Sequence, residues 1–319
     1  MNERGVALII VILIISVIVA LTLQFNIATR SEIDEAANLS DTIKLLSIAK
    51  SGFHGGEGLL MEDDNNYDTL TEDWAKSGLI SQMSGSFFSD GAFDLAIKDE
   101  AGKIPLNKLV DGTAYNEVIR ELLTRFLSQP EFNLDEQDLH DIVDAIKDWI
   151  DADNETTGFG AENAYYQGLE VPYSCKNGPL SSIDELLMVK GMTKEIYYGT
   201  EEKPGMQHYV TIHGDGKINL NTAPPLVLRA LDNEITDDMV EDMDEYRKDE
   251  NNDLSGQSWY KDVTGMANIS IEPDLITTKS NTFTITATGY FGNMKTLIIG
   301  VVERNSQTKT VKVLSWKVN

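Results

Sequence analysis

The sequence predicts an α+β protein with a long amino-terminal helix, a large helical region in the middle of the chain, and an antiparallel sheet completed by the last strands. Three observations predict this class. An uncharged apolar run fills residues 6–23, and an amphipathic pattern follows it to about residue 52. Apolar residues then recur at helical spacing through the middle of the chain. After residue 280 they form short runs rich in Val, Ile and Thr, which are typical of strands.

Length and charge limit the classes of function. With 319 residues, 41% of them apolar, the chain can bury one large core or two modest ones, so two domains are expected. The formal net charge of −26 repels phosphate backbones and anionic lipids, and it favours cationic partners or divalent metal ions. The single cysteine, Cys175, excludes an internal disulfide and a Cys-rich zinc site. We expect it to be a small, partly buried side chain.

The apolar run is long enough to cross a membrane. Fourteen of the 18 residues at 6–23 are Val, Ile or Leu, and ~20 apolar residues span a bilayer. Because no small-x-small cleavage site follows, we expect the segment to be retained rather than removed as a signal peptide. A cluster of four glycines predicts the end of the helix at about residue 52. Its members are Gly52, Gly55, Gly56 and Gly58.

The residues before this run, MNERG at 1–5, resemble a prepilin leader. The resemblance implies that prepilin peptidase cuts between Gly5 and Val6. Most pilins and pseudopilins carry Glu at the fifth mature position, where this chain has Ile10, and an unpaired carboxylate in a bilayer is costly. A subunit at a filament tip lacks one neighbour, and K-type minor pseudopilins of type II secretion systems share this departure. An ordinary signal anchor with a helical stalk is the alternative.

The middle of the chain contains an internal echo. A strand predicted at residues 93–97 runs into a turn, and the sequence GKIPLN at 102–107 then recurs as GKINLN at 216–221, each copy followed by a helical pattern. The sequence therefore predicts two helical units, at about 109–205 and 214–270. The first has apolar stripes that we interpret as core: Val118, Ile119, Leu122, Leu123, Phe126, Leu127, Leu139, Ile142, Val143, Ile146, Trp149 and Ile150.

The second helical unit resembles the helix-hairpin-helix or SAM-like pattern of DNA-binding proteins. That pattern holds phosphates with a Gly-rich hairpin, but the corresponding turn here is Asp232-Asn233-Glu234. Residues 213–266 contain 13 acidic and 5 basic residues, a net charge of −8. We therefore predict no nucleic-acid partner. A membrane-tethered module that captures DNA or a peptide remains the alternative function.

Three runs at the end of the chain, at 281–290, 295–303 and 309–318, predict an antiparallel meander. The resemblance to K-type pseudopilins implies a pilin-like domain, in which the amino-terminal helix packs on such a sheet and a helical domain is inserted between strands. We expect residues 53–108 to form the first part of the pilin-like domain, 109–279 the insertion, and 280–319 the remaining strands.

One segment, DWIDADNETTGFGAE, carries metal-binding chemistry. Asp151, Asp153 and Glu155 alternate, and Glu162 stands twelfth counting from Asp151, which are positions 1, 3, 5 and 12 of an EF-hand loop. Calcium takes 6–8 oxygen ligands, and closely spaced carboxylates can surround it. Thr156 stands where that motif has Gly. A solvated acidic loop is therefore the alternative.

The K-type resemblance implies that calcium binds in the helical domain. It supports Asp151, Asp153, Glu155 and Glu162 as candidate ligands, with the carbonyl of Thr157 as a further candidate. No catalytic motif accompanies this segment, because the four histidines lack metal-ligand spacing and the sequence has no P-loop, GxSxG or HExxH pattern. We therefore expect the protein not to be an enzyme.

The resemblance also implies a location and a set of partners. The chain would be a single-pass protein of the bacterial inner membrane, with its bulk in the periplasm. Its partners would be prepilin peptidase, the major pseudopilin and the minor pseudopilins of I and J type. With these it would initiate and cap the pseudopilus of a type II secretion system. A minor pilin of a type IV pilus is another alternative.

Overall fold

The structure is a computed structural model and describes residues 3–64 and 66–319, with side chains from residue 7 onward. Met1 and Asn2 of the predicted leader lie outside the described residues, whereas Gly5 and Val6 lie within the first helix. The α-helices are α1 Glu3–Glu62, α2 Gly78–Met83, α3 Glu117–Leu127, α4 Glu136–Ile150, α5 Asn163–Gln167, α6 Lys194–Tyr198, α7 Pro225–Arg229 and α8 Asp237–Tyr246. The strands are β1 Ala92–Asp99, β2 Ile104–Pro105, β3 Val110–Asp111, β4 Ala114–Tyr115, β5 Val210–Thr211, β6 Ile218–Asn219, β7 Ile276–Thr277, β8 Thr282–Phe291, β9 Met294–Asn305 and β10 Thr310–Val318.

Helix α1 projects from the rest of the molecule. Its side chains from residue 7 to residue 44 are almost all exposed, and Leu45 is the first that is buried. The most apolar 18-residue window of α1 has a mean hydropathy of 3.0 and none of it is buried, so α1 is long and apolar enough to cross a membrane. The prediction of one long helix that starts in this apolar run agrees with the structure.

The predicted end of that helix at about residue 52 is wrong, since α1 continues to Glu62. Two of the glycines that suggested an end, Gly52 and Gly56, are packing positions inside the helix. A Cβ atom on Gly52 would lie 2.9 Å from the ring of Phe93, and one on Gly56 would lie 2.9 Å from Cγ2 of Ile285. Because these positions lack a Cβ atom, the helix backbone can lie directly on the sheet.

The sheet has the order β1-β8-β9-β10, and every neighbouring pair is antiparallel. All four strands predicted from the sequence are present, three of them as the meander. Alternation places one face of each strand against α1. The buried side chains on that face include Phe93, Leu95, Ile97, Phe283, Ile285, Ala287, Ile298 and Val302. Together with the end of α1 they form the smaller of two apolar cores.

A helical domain is inserted between β1 and β8. The strands on either side of it are direct neighbours, with Asp99 opposite Phe283. The insertion has its own, larger core. The predicted start at residue 109 is too late, because Ile104 and Leu106 are fully buried in that larger core, where β2 pairs with β5. The structure therefore places the insertion at residues 100–281.

The two copies of the echoed motif have the same local structure. In each, a two-residue strand forms a short parallel pair, β2 with β5 and β6 with β7. The last asparagine of each copy then connects distant segments. The side chain of Asn107 bonds to backbone atoms of Leu180 and Ile212, and that of Asn221 bonds to the carbonyl of Leu254 and to the indole N–H of Trp259. The echo therefore marks two equivalent connection points of the insertion.

A buried polar network joins the insertion to the sheet. Asp99, at the end of β1, accepts hydrogen bonds from Asn219, Thr222 and Ser280. Asp68 pairs with Arg304 at 2.5 Å and also accepts the backbone N–H of Ser280. Burial raises the pKa of Asp68 to about 7, although Arg304 opposes this rise, and burial also raises the pKa of Asp99. These contacts connect the segment that follows α1 with β1, β9 and the insertion.

Candidate metal centre

The end of helix α4 presents a row of carboxylates. Asp144, Asp148 and Asp151 lie at helical spacing, and Asp151 is the residue directly after the last turn. Asp148 and Asp151 are buried, with 0% and 1% of their surface exposed. A buried carboxylate needs a positive charge or several hydrogen bonds to remain ionised. The end of α4 therefore requires a partner.

The loop after α4 turns back over this row because two of its residues lack side chains. A Cβ atom on Gly158 would lie 2.2 Å from Oδ2 of Asp144, and one on Gly160 would lie 2.2 Å from Oδ2 of Asp148. The backbone N–H of Thr157 donates to both carboxylate oxygens of Asp148 at 3.1 Å. Glycine is therefore required at these two positions because the loop backbone contacts α4. An EF-hand loop instead requires its glycine at the sixth position, for a sharp turn.

The loop brings a third buried carboxylate to the row. Glu162 is 3% exposed, and one oxygen each from Asp148, Asp151 and Glu162 lie within 4.8 Å of one another. Among the described residues, Oδ1 of Asp151 and both carboxylate oxygens of Glu162 accept no well-aligned hydrogen bond. Three buried carboxylate oxygens therefore lack a well-aligned donor among those residues. Buried oxygens of this kind usually have a hydrogen-bond donor or a metal ion as a partner.

The pKa values reflect this crowding. Burial raises the pKa of Glu162 to about 7, and the charges of Asp148 and Asp151 add to the rise. Burial is also the main cause of the raised pKa of Asp148 and of Asp151. A divalent ion would remove the repulsion that these groups exert on one another.

The sequence predicted part of this cluster. It named Asp151 and Glu162, which the structure brings together. Asp153 is only half-buried and accepts the backbone N–H of Glu155, whose own side chain is exposed. The carbonyl of Thr157 accepts the N–H of Gly160. These three predicted ligands are therefore not part of the buried cluster, and their role in calcium binding stays a prediction.

Sequence reasoning missed Asp148. The signal for it was present, because Asp148 precedes Asp151 by three residues, which puts both carboxylates on the same side of the last helical turn. The EF-hand spacing directed attention to the residues after the helix instead.

The segment around Cys175 closes the other side of the loop. The Sγ atom of Cys175 lies 3.5 Å from the carbonyl oxygen of Asp148, and its N–H donates to the side chain of Asn163. Asn177 donates to the carbonyl of Asp153. Burial raises the pKa of the Cys175 thiol to about 11, so this group is a neutral part of the wall. Its predicted partial burial agrees with an exposed fraction of 8%.

The chemistry of the donors fits a hard cation. The free atoms are carboxylate oxygens, which calcium and magnesium prefer, and the cluster offers no thiolate or imidazole that would favour zinc. Asp148, Asp151 and Glu162 would hold the ion, with Asp153 and Glu155 nearest in sequence as additional candidates. The ion would supply positive charge and connect the loop to α4.

Comparison with known proteins shows what the helical domain resembles. The family model of type II secretion system protein K matches residues 102–201, which contain α4 and the loop that follows it. Over 239 residues the chain is 28% identical to type II secretion system protein K of Aeromonas hydrophila, with 70% of this chain and 68% of that protein covered. The resemblance to type II secretion system protein K is confirmed.

Two further K proteins show the same resemblance. The K protein of Klebsiella pneumoniae is 25% identical over 235 residues, covering 70% of this chain and 68% of that protein. The K protein of Pectobacterium carotovorum is 27% identical over 207 residues, covering 61% and 60%. The similarity therefore extends well beyond the domain matched by the family model.

A solved structure has the same fold. One chain in the crystal structure of the GspK–GspI–GspJ complex from the type 2 secretion system of enterotoxigenic Escherichia coli superposes with a TM-score of 0.63. The superposition covers 91% of this chain and 99% of that chain, at 16% sequence identity. The predicted α+β, pilin-like fold with a long amino-terminal helix is thus confirmed. The start of the family match at residue 102 also agrees with an insertion that begins near residue 100.

Proposed function

We propose that this chain is a minor pseudopilin that caps and helps to initiate the periplasmic pseudopilus of a type II secretion system, without a catalytic role. The observation that supports this most directly is the position of the insertion. Gly289 of β8 lies against Leu45 and Ala49 of α1, and Ile285 lies against Gly56, so β8 runs antiparallel to α1. The insertion therefore joins the sheet at the end that is farthest from the apolar segment.

This arrangement fits the tip of a filament. Residues 24–44 of α1 are mostly exposed, and at 1.5 Å per residue they span about 30 Å between the apolar segment and the sheet. If residues 6–23 lie in the inner membrane, the insertion lies at the periplasmic top of the subunit. A bulky domain there leaves no room for another subunit above it. The apolar Ile10 is compatible with a position that lacks one neighbour.

The proposed partners are suggested by the solved structure of similar fold. That chain was crystallised in a complex named GspK–GspI–GspJ, and we propose that this chain likewise assembles with minor pseudopilins of I and J type. The major pseudopilin would form the filament below them. Prepilin peptidase would cut between Gly5 and Val6 before assembly.

The cap can be tested by removing the insertion alone. Because Asp99 and Phe283 are cross-strand neighbours, residues 100–281 can be replaced by a short hairpin turn that keeps β1 and β8 paired. All buried residues of the smaller core lie outside this range. In cells that overproduce the major pseudopilin, we expect the shortened chain to give longer filaments than the full chain does. Filaments of unchanged length and number would contradict a capping role for the insertion.

We further propose that the metal centre binds calcium and that the ion has a structural role. By holding the buried carboxylates of Asp148, Asp151 and Glu162, the ion would fix the loop on α4 and stabilise the insertion by mass action. Saturating calcium should therefore raise the melting temperature and protect residues 151–162 from proteolysis. If both properties are the same in calcium and in a chelator, the centre does not bind this ion.

A further inference from the structure

A lysine lies within the carboxylate cluster. Lys147 belongs to the last turn of α4, one turn before Asp151, and only 7% of its side chain is exposed. Its Nζ atom lies 2.5 Å from Oδ2 of Asp151 and 3.9 Å from Oδ1 of Asp148. It also donates to Oγ1 of Thr157 at 2.8 Å. A buried ammonium in this position contacts α4 and the loop at the same time.

Because of Lys147, the two carboxylate oxygens of Asp151 have different surroundings. Oδ2 accepts a hydrogen bond from the ammonium, whereas Oδ1 accepts no well-aligned hydrogen bond from the described residues. Asp151 belongs to the same carboxylate cluster as Glu162. Lys147 thus holds the carboxylate of Asp151 in one orientation and leaves its second oxygen available.

Lys147 also sets the charge of the cluster. When they are ionised, the three carboxylates of Asp148, Asp151 and Glu162 carry −3, and the ammonium reduces this to −2. A divalent ion would bring the total to zero. The lysine therefore cancels part of the repulsion when no ion is bound, but it also repels an ion that binds.

We infer that Lys147 is a tethered cation that keeps the metal-free centre folded and, as a result, weakens the binding of calcium. This inference depends on the proposed metal centre. Lys147 would act as a positioning residue: it orients Asp151 and supplies part of the charge that the ion completes. Its position at the C-terminal end of α4, where the helix dipole favours a positive charge, supports the same role.

Replacing this lysine should have opposite effects on stability and affinity. In Lys147→Met the side chain keeps its approximate length but loses its charge, so three buried carboxylates remain without a counter-ion. We expect the melting temperature in chelator to fall by about 5 °C or more. The calcium dissociation constant should fall by about tenfold or more, because the ion no longer meets a positive charge and Oδ2 of Asp151 becomes available as a ligand.

Lys190→Met is the matched control. Lys190 also connects to the loop, through hydrogen bonds to the carbonyls of Phe159 at 2.6 Å and Gly160 at 3.2 Å, but it contacts none of the three carboxylates. We expect this variant to lower the melting temperature both with and without calcium and to leave calcium affinity unchanged or weaker. A gain in affinity should therefore be specific to Lys147.

The experiment measures calcium binding by isothermal titration calorimetry and melting by fluorescence, using the full chain in detergent. Tighter binding together with a lower chelator melting temperature in Lys147→Met would support the inference. If the wild type binds calcium and Lys147→Met binds it with equal or weaker affinity, the inference about Lys147 is wrong but the proposed metal centre is supported. No binding to either protein would overturn both.

A variant that does not fold in chelator can still be tested. The inference then requires that Lys147→Met refolds when calcium is added, because the ion supplies the missing charge. A variant that stays unfolded in saturating calcium would show that Lys147 is needed for structure alone and would overturn the inference.

Discussion

The glycines of α1 allow a direct test of how the helix packs on the sheet. We predict opposite effects of alanine at two adjacent positions. In both variants the intrinsic preference of Ala over Gly inside a helix favours folding by about 1 kcal/mol. At Gly55 the new methyl group meets nothing within 4 Å, so this gain should remain. At Gly56 it would lie 2.9 Å from Cγ2 of Ile285 and 3.2 Å from Cδ1 of Leu95.

The contact at Gly56 should outweigh the gain. Cγ2 of Ile285 is attached to a β-branched carbon in a buried strand and moves little, and overpacking of this kind costs about 1–3 kcal/mol. The two variants should therefore differ by about 2 kcal/mol, with Gly55→Ala more stable than the wild type and Gly56→Ala less stable.

Hydrogen exchange of the full chain in detergent can measure this difference. The free energy of opening is read from the amides of residues 45–60 and of β8, with peptides from the insertion as an internal reference. Equal stabilisation by both variants would refute the reasoning, because it would mean that α1 does not lie on the sheet at Gly56. Equal destabilisation would mean that the helix ends before residue 55.

Three further predictions concern the carboxylates and the amino terminus. Glu162→Gln should weaken calcium binding by at least about tenfold, whereas Glu155→Gln should weaken it less, because only Glu162 is buried in the cluster. Calorimetry can compare the calcium affinities of the two variants. Equal losses of affinity would mean that the exposed carboxylate of Glu155 is an equal ligand. Since the pKa of Asp68 is about 7 in the folded chain and near 4 when unfolded, the folded state binds more protons between these values. The free energy of unfolding should therefore fall as pH rises from about 4 to 7. In urea titrations, Asp68→Asn should reduce this dependence of stability on pH. An unchanged dependence would show that Asp68 is ionised throughout this range. Mass spectrometry should find a mature chain that begins at Val6 only when prepilin peptidase is present, and an uncut chain would make the protein a plain signal-anchored one.

The predictions that came from periodicity were correct. The alternation after residue 280 predicted the three strands of the meander, and the apolar stripes at residues 118–127 and 139–150 predicted α3 and α4. Their apolar faces are buried as expected except at Val118, which was predicted to be core but is 38% exposed in the first turn of α3. These patterns are local, because the face of a strand or helix that is buried repeats at a fixed period along the chain.

The errors arose where residues meet from distant parts of the sequence. Glycine favours a helix end, and nothing near Gly56 in the sequence shows that Ile285 lies against it. In the same way, the borders of the insertion depend on the pairing of β2 with β5, which brings Ile104 next to Val210. Asp148 has a local signal in its helical spacing from Asp151, but its meeting with Glu162 depends on the path of the loop. Contacts of this kind depend on tertiary structure and leave no periodic signal.

The cross-strand pairing of Asp99 with Phe283 also has a consequence for the order of folding. These strands are adjacent in the sheet, yet 182 residues separate the end of β1 from the start of β8. Closing so long a flexible loop costs about 3 kcal/mol more than closing a four-residue turn. That cost disappears if the insertion folds first and brings its two ends together. The smaller domain should thus form its sheet late, after the larger core is in place.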